Sequence, residues 1–347
     1  MPLALRRFIY FLLPLLLLVA ALVEMMFALP VFKSSGFHFV GDLVANILFC
    51  SIIHIPMTYV FLSHTDQGQS WLKNQRMVDR GLLLRFLFCA LFFLFIFNIQ
   101  SLFSAPPQKV MFIVLLVKNI LPAHHYVAQW YGLFRNQFGE NYSAKNLQRI
   151  KILLQSFAIT KCFLNISLIF YLISSGHWAN VARDACFVVV GILVGLLVSL
   201  VSQSKTSGIK ELLFIVPRLL IGSTVSVSVI SGFSTSALHG SEAMTIYGPM
   251  VAVKPMDSRR KLLYVFYIGL TILLTYSVSL TKGWASHPWF FKFLTSLATT
   301  QTFTHYFAET YLFRMKDPVS RRYILPLTRF SPPESQEEFI LPLPAQA

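Results

Sequence analysis

Charge is what this chain has least of. Only 12% of its 347 residues are Asp, Glu, Lys or Arg, against roughly 25% in ordinary soluble domains. Acidic residues are the scarcer sign, 14 against 29 Lys and Arg, which leaves a formal net charge of +15. Cysteine is reduced to four positions, Cys50, Cys89, Cys162 and Cys186, each in a separate apolar run and none in a CxxC pair. That spacing excludes a disulfide framework and a zinc knuckle, and leaves the cysteines as small buried residues. No polar stretch is long enough for a separate soluble domain, and the longest connections lie at about 63–81 and 135–151. No internal repeat or inverted pair is visible, which argues against the common transporter architectures. No basic module accompanies the positive charge, so nucleic acid is not an expected partner. Basic cytoplasmic loops facing anionic lipid account for the charge instead.

What is present is apolar length. The chain is 55% hydrophobic with a mean hydropathy of +0.63. Continuous apolar runs, not alternating ones, point to helices and not to a barrel. The expected fold is therefore all-α: a polytopic transmembrane helical bundle of about ten spans. The runs fall at about 8–29, 38–62, 82–103, 110–132, 152–174, 185–203, 211–231, 234–252, 262–281 and 289–313. The first run exceeds the usual 7–15-residue core of a signal peptide, so it reads as an uncleaved span. Lys205 and Lys210 precede, and Lys254, Arg259, Arg260 and Lys261 follow, the pair of runs at 211–252. Keeping those cations on one side requires both runs to cross or re-enter. With ten crossings both termini are cytoplasmic, and only Lys33, Lys109, Arg183 and Lys282 remain outside, an asymmetry the positive-inside rule favours. Residues 1–313 form the membrane domain, and 314–347 a Pro-rich cytoplasmic tail. The expected location is a bacterial inner membrane, as a multi-pass protein.

Histidine is the informative residue. His54 stands in HIPMTY, His124 and His125 in HHYVAQ, His239 in HGSE and His305 in HYFAET, on four different apolar runs. Ionisable side chains at membrane depth are costly and mark functional sites. His54, His124, His125 and His305 all lie about 8–11 residues from the inner edge of their runs, or roughly 12–16 Å deep at the helical rise. This shared level predicts one site. His125 shares a face with Lys118, Pro122 and Gln129, whereas His124 points about 100° away. Both reach one point only if Pro122 distorts the helix. His239 and Glu242 stand at i, i+3 on one face, with Gly232 and Gly240 suggesting a local break. Gln301, His305 and Glu309 form an i, i+4, i+8 ladder. The competing readings are a carbonyl-bonded core histidine for His54, and an interfacial pair with Arg314 or Lys316 for Glu309. Arg218, inside LLFIVPRLLIGS, needs a partner among Asp42, Glu242 or a substrate head group. Lys118 and Lys161 raise the same question.

The stretches HIPMTY, HHYVAQ, HGSE and HYFAET resemble those of integral-membrane histidine-box metal oxidases, the class of lipid desaturases and hydroxylases. The resemblance implies a di-iron centre at the cytoplasmic side of the bundle and oxidation of a lipid-like substrate. The HxxxH and HxxHH boxes of that class are absent here. A second stretch, ALHGSEAMTIYG, is similar to the histidine region of membrane-bound O-acyltransferases, which implies His239 as a general base with no metal. A carrier using buried histidines as proton relays is a further alternative.

The leading expectation is a membrane-embedded metal-dependent oxidase or hydroxylase. Its metal ligands are drawn from His54, His124, His125, His239, Glu242, His305 and Glu309, with Arg218 as a charge partner. Imidazole and carboxylate donors suit iron, one or two ions, while zinc would turn the chemistry toward hydrolysis. The expected partners are membrane lipid and a lipid-like or amphipathic small molecule.

Overall fold

The computed structural model describes residues 3–27, 54–102, 108–174, 177–205, 208–224, 229–252 and 289–312, with isolated positions between 258 and 269. Among them there is no strand, and the architecture is all-α. The chain begins with α1 (Leu3–Arg7) and continues through a π-helical turn, Phe8–Leu12, into α2 (Leu13–Phe27). There follow α3 (His54–His64), α4 (Asp66–Val78), α5 (Leu82–Leu102) and α6 (Gln108–Phe138). A 3-10 turn at Gly139–Asn141 leads to α7 (Ala144–Ser174), and then come α8 (His177–Val201), α9 (Ile209–Thr224), α10 (Val229–Ala252) and α11 (Trp289–Leu312).

The ends of these helices are set by local chemistry. Thr65 caps α4, its side-chain oxygen accepting from the Gly68 amide at 2.9 Å. Ser143 does the same for α7, accepting from Asn146 at 3.2 Å. Gly208, just before α9, has a φ of +68°, and an added Cβ would stand 3.0 Å from the Val201 carbonyl oxygen. Only glycine enters that turn without strain. The turn after α6 is tied to the end of α8 and the start of α9. Glu211, in the first turn of α9, accepts from Asn141 Nδ2 at 2.9 Å and Ser204 Oγ at 3.1 Å. The Tyr142 hydroxyl donates to the Val201 carbonyl at 3.2 Å. A carboxylate at a helix N-terminus also meets the positive end of the helix dipole.

Both connections expected to be loops are shorter than expected. Residues 66–78 are helical, and α6 and α7 are joined by only a few residues around Gly139–Asn141. The polar composition of those stretches reflected an exposed amphipathic helix and helix ends, not irregular chain. The break expected at Gly240 does not occur either. α10 runs without interruption from Val229 to Ala252, because a buried glycine inside a packed helix needs only space. Pro122 likewise lies inside the 31-residue α6.

α7 packs against α6 and α8, α11 against α5, α3 and α6, and α10 against α2, α3 and α9. Among the described residues, the two larger apolar clusters of the core follow from this packing. One joins Tyr10, Trp130, Phe134, Phe138, Phe157 and Phe214. The other joins Met57, Trp71, Ile246, Tyr247, Ala308 and Leu312. The candidate site lies where these clusters meet, since His125 sits between Ala123 and Val127 of the first, and Glu309 sits beside Ala308 of the second.

Among the described residues, two helices are long and apolar enough to cross a membrane, Ala4–Met26 and Asn180–Val201. The apolar stretch Leu82–Ile96 is shorter. Large side chains on these segments face outward: Leu84 is 71% exposed and Phe88 70%, with Val188 and Ile192 similarly open on α8. The parts of the expected spans at 38–53 and 271–281, Asp42, Cys50, and the tail 314–347 lie outside the described residues.

Candidate metal centre

Three helices bring together His125, His239, His305 and Glu309. Each offers one ligand atom, and the four atoms lie within 4.8 Å of one another, all buried. His305 and Glu309 come from one face of α11 at i, i+4, the spacing that stacks side chains on successive turns. His125 arrives from α6 and His239 from α10.

The ring nitrogens face inward. His125 Nε2 stands 3.2 Å from His239 Nε2 and 3.1 Å from Glu309 Oε2. His239 Nε2 is 3.9 Å from the same oxygen. Ligands held about 2.1 Å from a common ion would subtend roughly 95–100° across the two shorter separations, inside the range of tetrahedral and octahedral sites. His54, on α3, stands beside the four, its Nε2 3.1 Å from His305 Nε2. Its ring centroid is 4.5 Å from that of His239.

The surroundings prepare these atoms as ligands. His305 Nδ1 donates to the Thr302 carbonyl at 2.5 Å. A carbonyl only accepts, so the proton is on Nδ1 and Nε2 carries a lone pair aimed into the group. Glu309 Oε1 accepts from the Tyr247 hydroxyl at 2.9 Å and from Thr58 Oγ1 at 3.3 Å. Those two donors occupy one carboxylate oxygen, and the buried Oε2 is left to the His125 ring, 3.1 Å away. A buried carboxylate oxygen in that position is satisfied either by a protonated imidazole or by a metal ion shared with the rings. Imidazole nitrogens turned toward one another and toward a carboxylate oxygen form a donor set that fits a metal ion. Tyr306 stacks on His125, centroids 4.2 Å apart and 27° between planes. Tyr126 stands beside Tyr306, its ring 4.9 Å from His239.

The remaining expected residues are placed elsewhere. His124 is exposed on another face of α6 and outside the group, because Pro122 does not turn the helix enough to align adjacent residues. Glu242, fully buried, faces Arg218 instead. Arg218 Nε and Nη2 donate to Glu242 Oε1 at 2.8 and 2.5 Å, and Gln129 Nε2 donates to Oε2 at 3.1 Å. Arg218 also donates to the Phe214 carbonyl. Glu242 thus satisfies the arginine that the sequence left without a partner. Gln129 further reaches the His239 carbonyl at 3.4 Å, which links this ion pair to the histidine group. Tyr247 and Tyr126 were not legible as site residues. Tyr247 belongs to an apolar run, and only the packing of α10 on α11 turns its hydroxyl to Glu309.

No protein-family model, no curated protein and no solved structure matches this chain.

Proposed function

We propose that this is a membrane-embedded metal-dependent enzyme of the oxidase or hydroxylase type, acting on a lipid-like or amphipathic substrate. The observation that supports it best is the buried group His125, His239, His305 and Glu309, with ligand atoms inside 4.8 Å. His54 is the candidate for a further position on the same ion or on a second one. Histidine with one carboxylate suits iron, and the same donors accept zinc. When bound, the metal would supply Lewis acidity and, if iron, one-electron and oxygen chemistry. The chain's own part is to hold the donors. Thr302 sets the tautomer of His305, Tyr247 and Thr58 orient Glu309, and Tyr306 and Tyr126 wall the histidines from water.

The bundle is multi-pass in this reading, with about ten crossings and cytoplasmic termini. Outward-facing Leu84, Phe88, Val188 and Ile192 favour lipid contact over water. The basic asymmetry of the loops supports the orientation. A substrate would then enter from the bilayer.

The test is elemental analysis of the detergent-purified protein, followed by oxygen uptake with a fatty-acyl amphiphile. One or two irons per chain and substrate-dependent uptake are expected. Zinc alone would replace oxidation with hydrolysis, and protein free of transition metal after metal supplementation would end the metal reading.

A further inference from the structure

Among the described residues, two lysine or arginine side chains are nine-tenths or more buried, Arg218 and Lys161. Arg218 has Glu242. Lys161, on α7, has no carboxylate partner among the described residues, and its Nζ stands 5.8 Å from the centre of the Tyr126 ring. Close to it lies Gly222 of α9, where an added Cβ would stand 3.7 Å from Nζ and 3.2 Å from Phe157. Phe157 precedes Lys161 by one turn, so both side chains lean on the bare backbone at Gly222. An ammonium so enclosed keeps its charge only when an anion joins it, and otherwise sheds its proton.

Tyr126 connects this cation to the histidine group. It follows His125 in sequence, and its ring is 4.9 Å from His239 and 6.4 Å from Tyr306. An amphiphile whose head group meets Lys161 would therefore carry its apolar part along Tyr126 toward the histidines. We propose that Lys161 is the head-group anchor of the substrate, binding the carboxylate of a single-chain amphiphile. This rests on the reading of the site as one for an amphipathic substrate. A monoanion is the better match than a phosphate, since a lone ammonium supplies three donors and no second cation joins it among the described residues. Binding energy from a remote head group positions the reacting carbons, a use that needs no contact with the metal.

The experiment measures equilibrium binding of labelled palmitate and labelled hexadecanol to the full chain in nanodiscs. It compares wild type, Lys161→Met and Lys161→Arg, with metal content measured in parallel. Wild type is expected to hold palmitate on the order of tenfold more tightly than hexadecanol, and Lys161→Met to bring the two within about twofold. Lys161→Arg keeps the preference, which guards against misfolding of the methionine variant, and Lys161→Met keeps its metal. Equal binding of acid and alcohol by wild type, or an undiminished preference in Lys161→Met, would overturn the anchor. So would loss of metal together with the preference, because Lys161 would then support the histidine group. A palmitate preference in protein without metal upholds the anchor and overturns the enzyme reading. Metal with no palmitate preference does the opposite.

Discussion

At the scale of single residues, the centre separates atoms that face the group from atoms that orient them. Substituting His125, His239 or His305 by Ala, or Glu309 by Gln, removes a donor from the four-residue group. Each of these changes is expected to abolish stoichiometric metal. Tyr247→Phe leaves all donors but frees Glu309 Oε1 from its 2.9 Å hydrogen bond, and metal affinity should fall about tenfold, as for loss of an orienting partner. His124→Ala should leave metal content unchanged. Chelator competition followed by elemental analysis checks all of these, and metal loss in His124→Ala would show the wrong adjacent histidine to have been chosen. The ion pair gives a separate test. Glu242→Gln leaves Arg218 buried with no counter-charge, which costs about 3–5 kcal/mol. Its unfolding temperature in detergent should drop while metal per folded chain holds. Replacing both, as Arg218→Met with Glu242→Leu, should restore much of the loss. If Glu242→Gln instead strips metal without lowering stability, Glu242 is a ligand after all.

At the scale of elements, the helices meet through small residues and buried polar bonds. Gly222 admits Phe157 and Lys161 of α7 against α9. Close approach at a glycine is a usual device of helix pairs in a lipid setting. Gly222→Ala sets a methyl 3.2 Å from the Phe157 ring, an overpacking that costs about 1–3 kcal/mol. Adding Phe157→Leu should recover part of it, which thermal unfolding of the single and double variants measures. The first helix shows a different device. In the π-helical turn Phe8–Leu12 the Leu13 amide reaches back to the Phe8 carbonyl. Tyr10 in that turn is fully buried, with its hydroxyl 2.5 Å from Thr245 Oγ1 of α10. Thr245 Oγ1 in turn donates to the Glu242 carbonyl at 2.7 Å. The N-terminal helix is thereby fastened to the helix that carries His239.

At the scale of the whole molecule, charge placement makes the proposed orientation in a bilayer testable. Reporter fusions at Ala347 and in the connection near Lys282 are expected to mark opposite sides, cytoplasmic and external. The same side for both would remove one crossing from the bundle. The sequence by itself determined the helical class, since its apolar runs are long and continuous and do not alternate as strands do. It also determined which helices carry the candidate metal centre. His54, His239, His305 and one of His124 and His125 are conspicuous because polar groups are costly among apolar ones, and that cost is visible in one dimension. Selection within those stretches was decided only by tertiary structure. Helix phase separates His124 from His125, yet only the packing of α6 on α11 decides which phase faces Glu309. Glu242 and Glu309 are each one turn from a histidine, with the same local claim to a ligand role. Arg218, arriving from α9, takes the first, while Tyr247 and Thr58, from α10 and α3, turn the second toward the histidines. Such assignments depend on groups brought together across many residues of chain, and local spacing carries no information about which charge a neighbouring helix will supply.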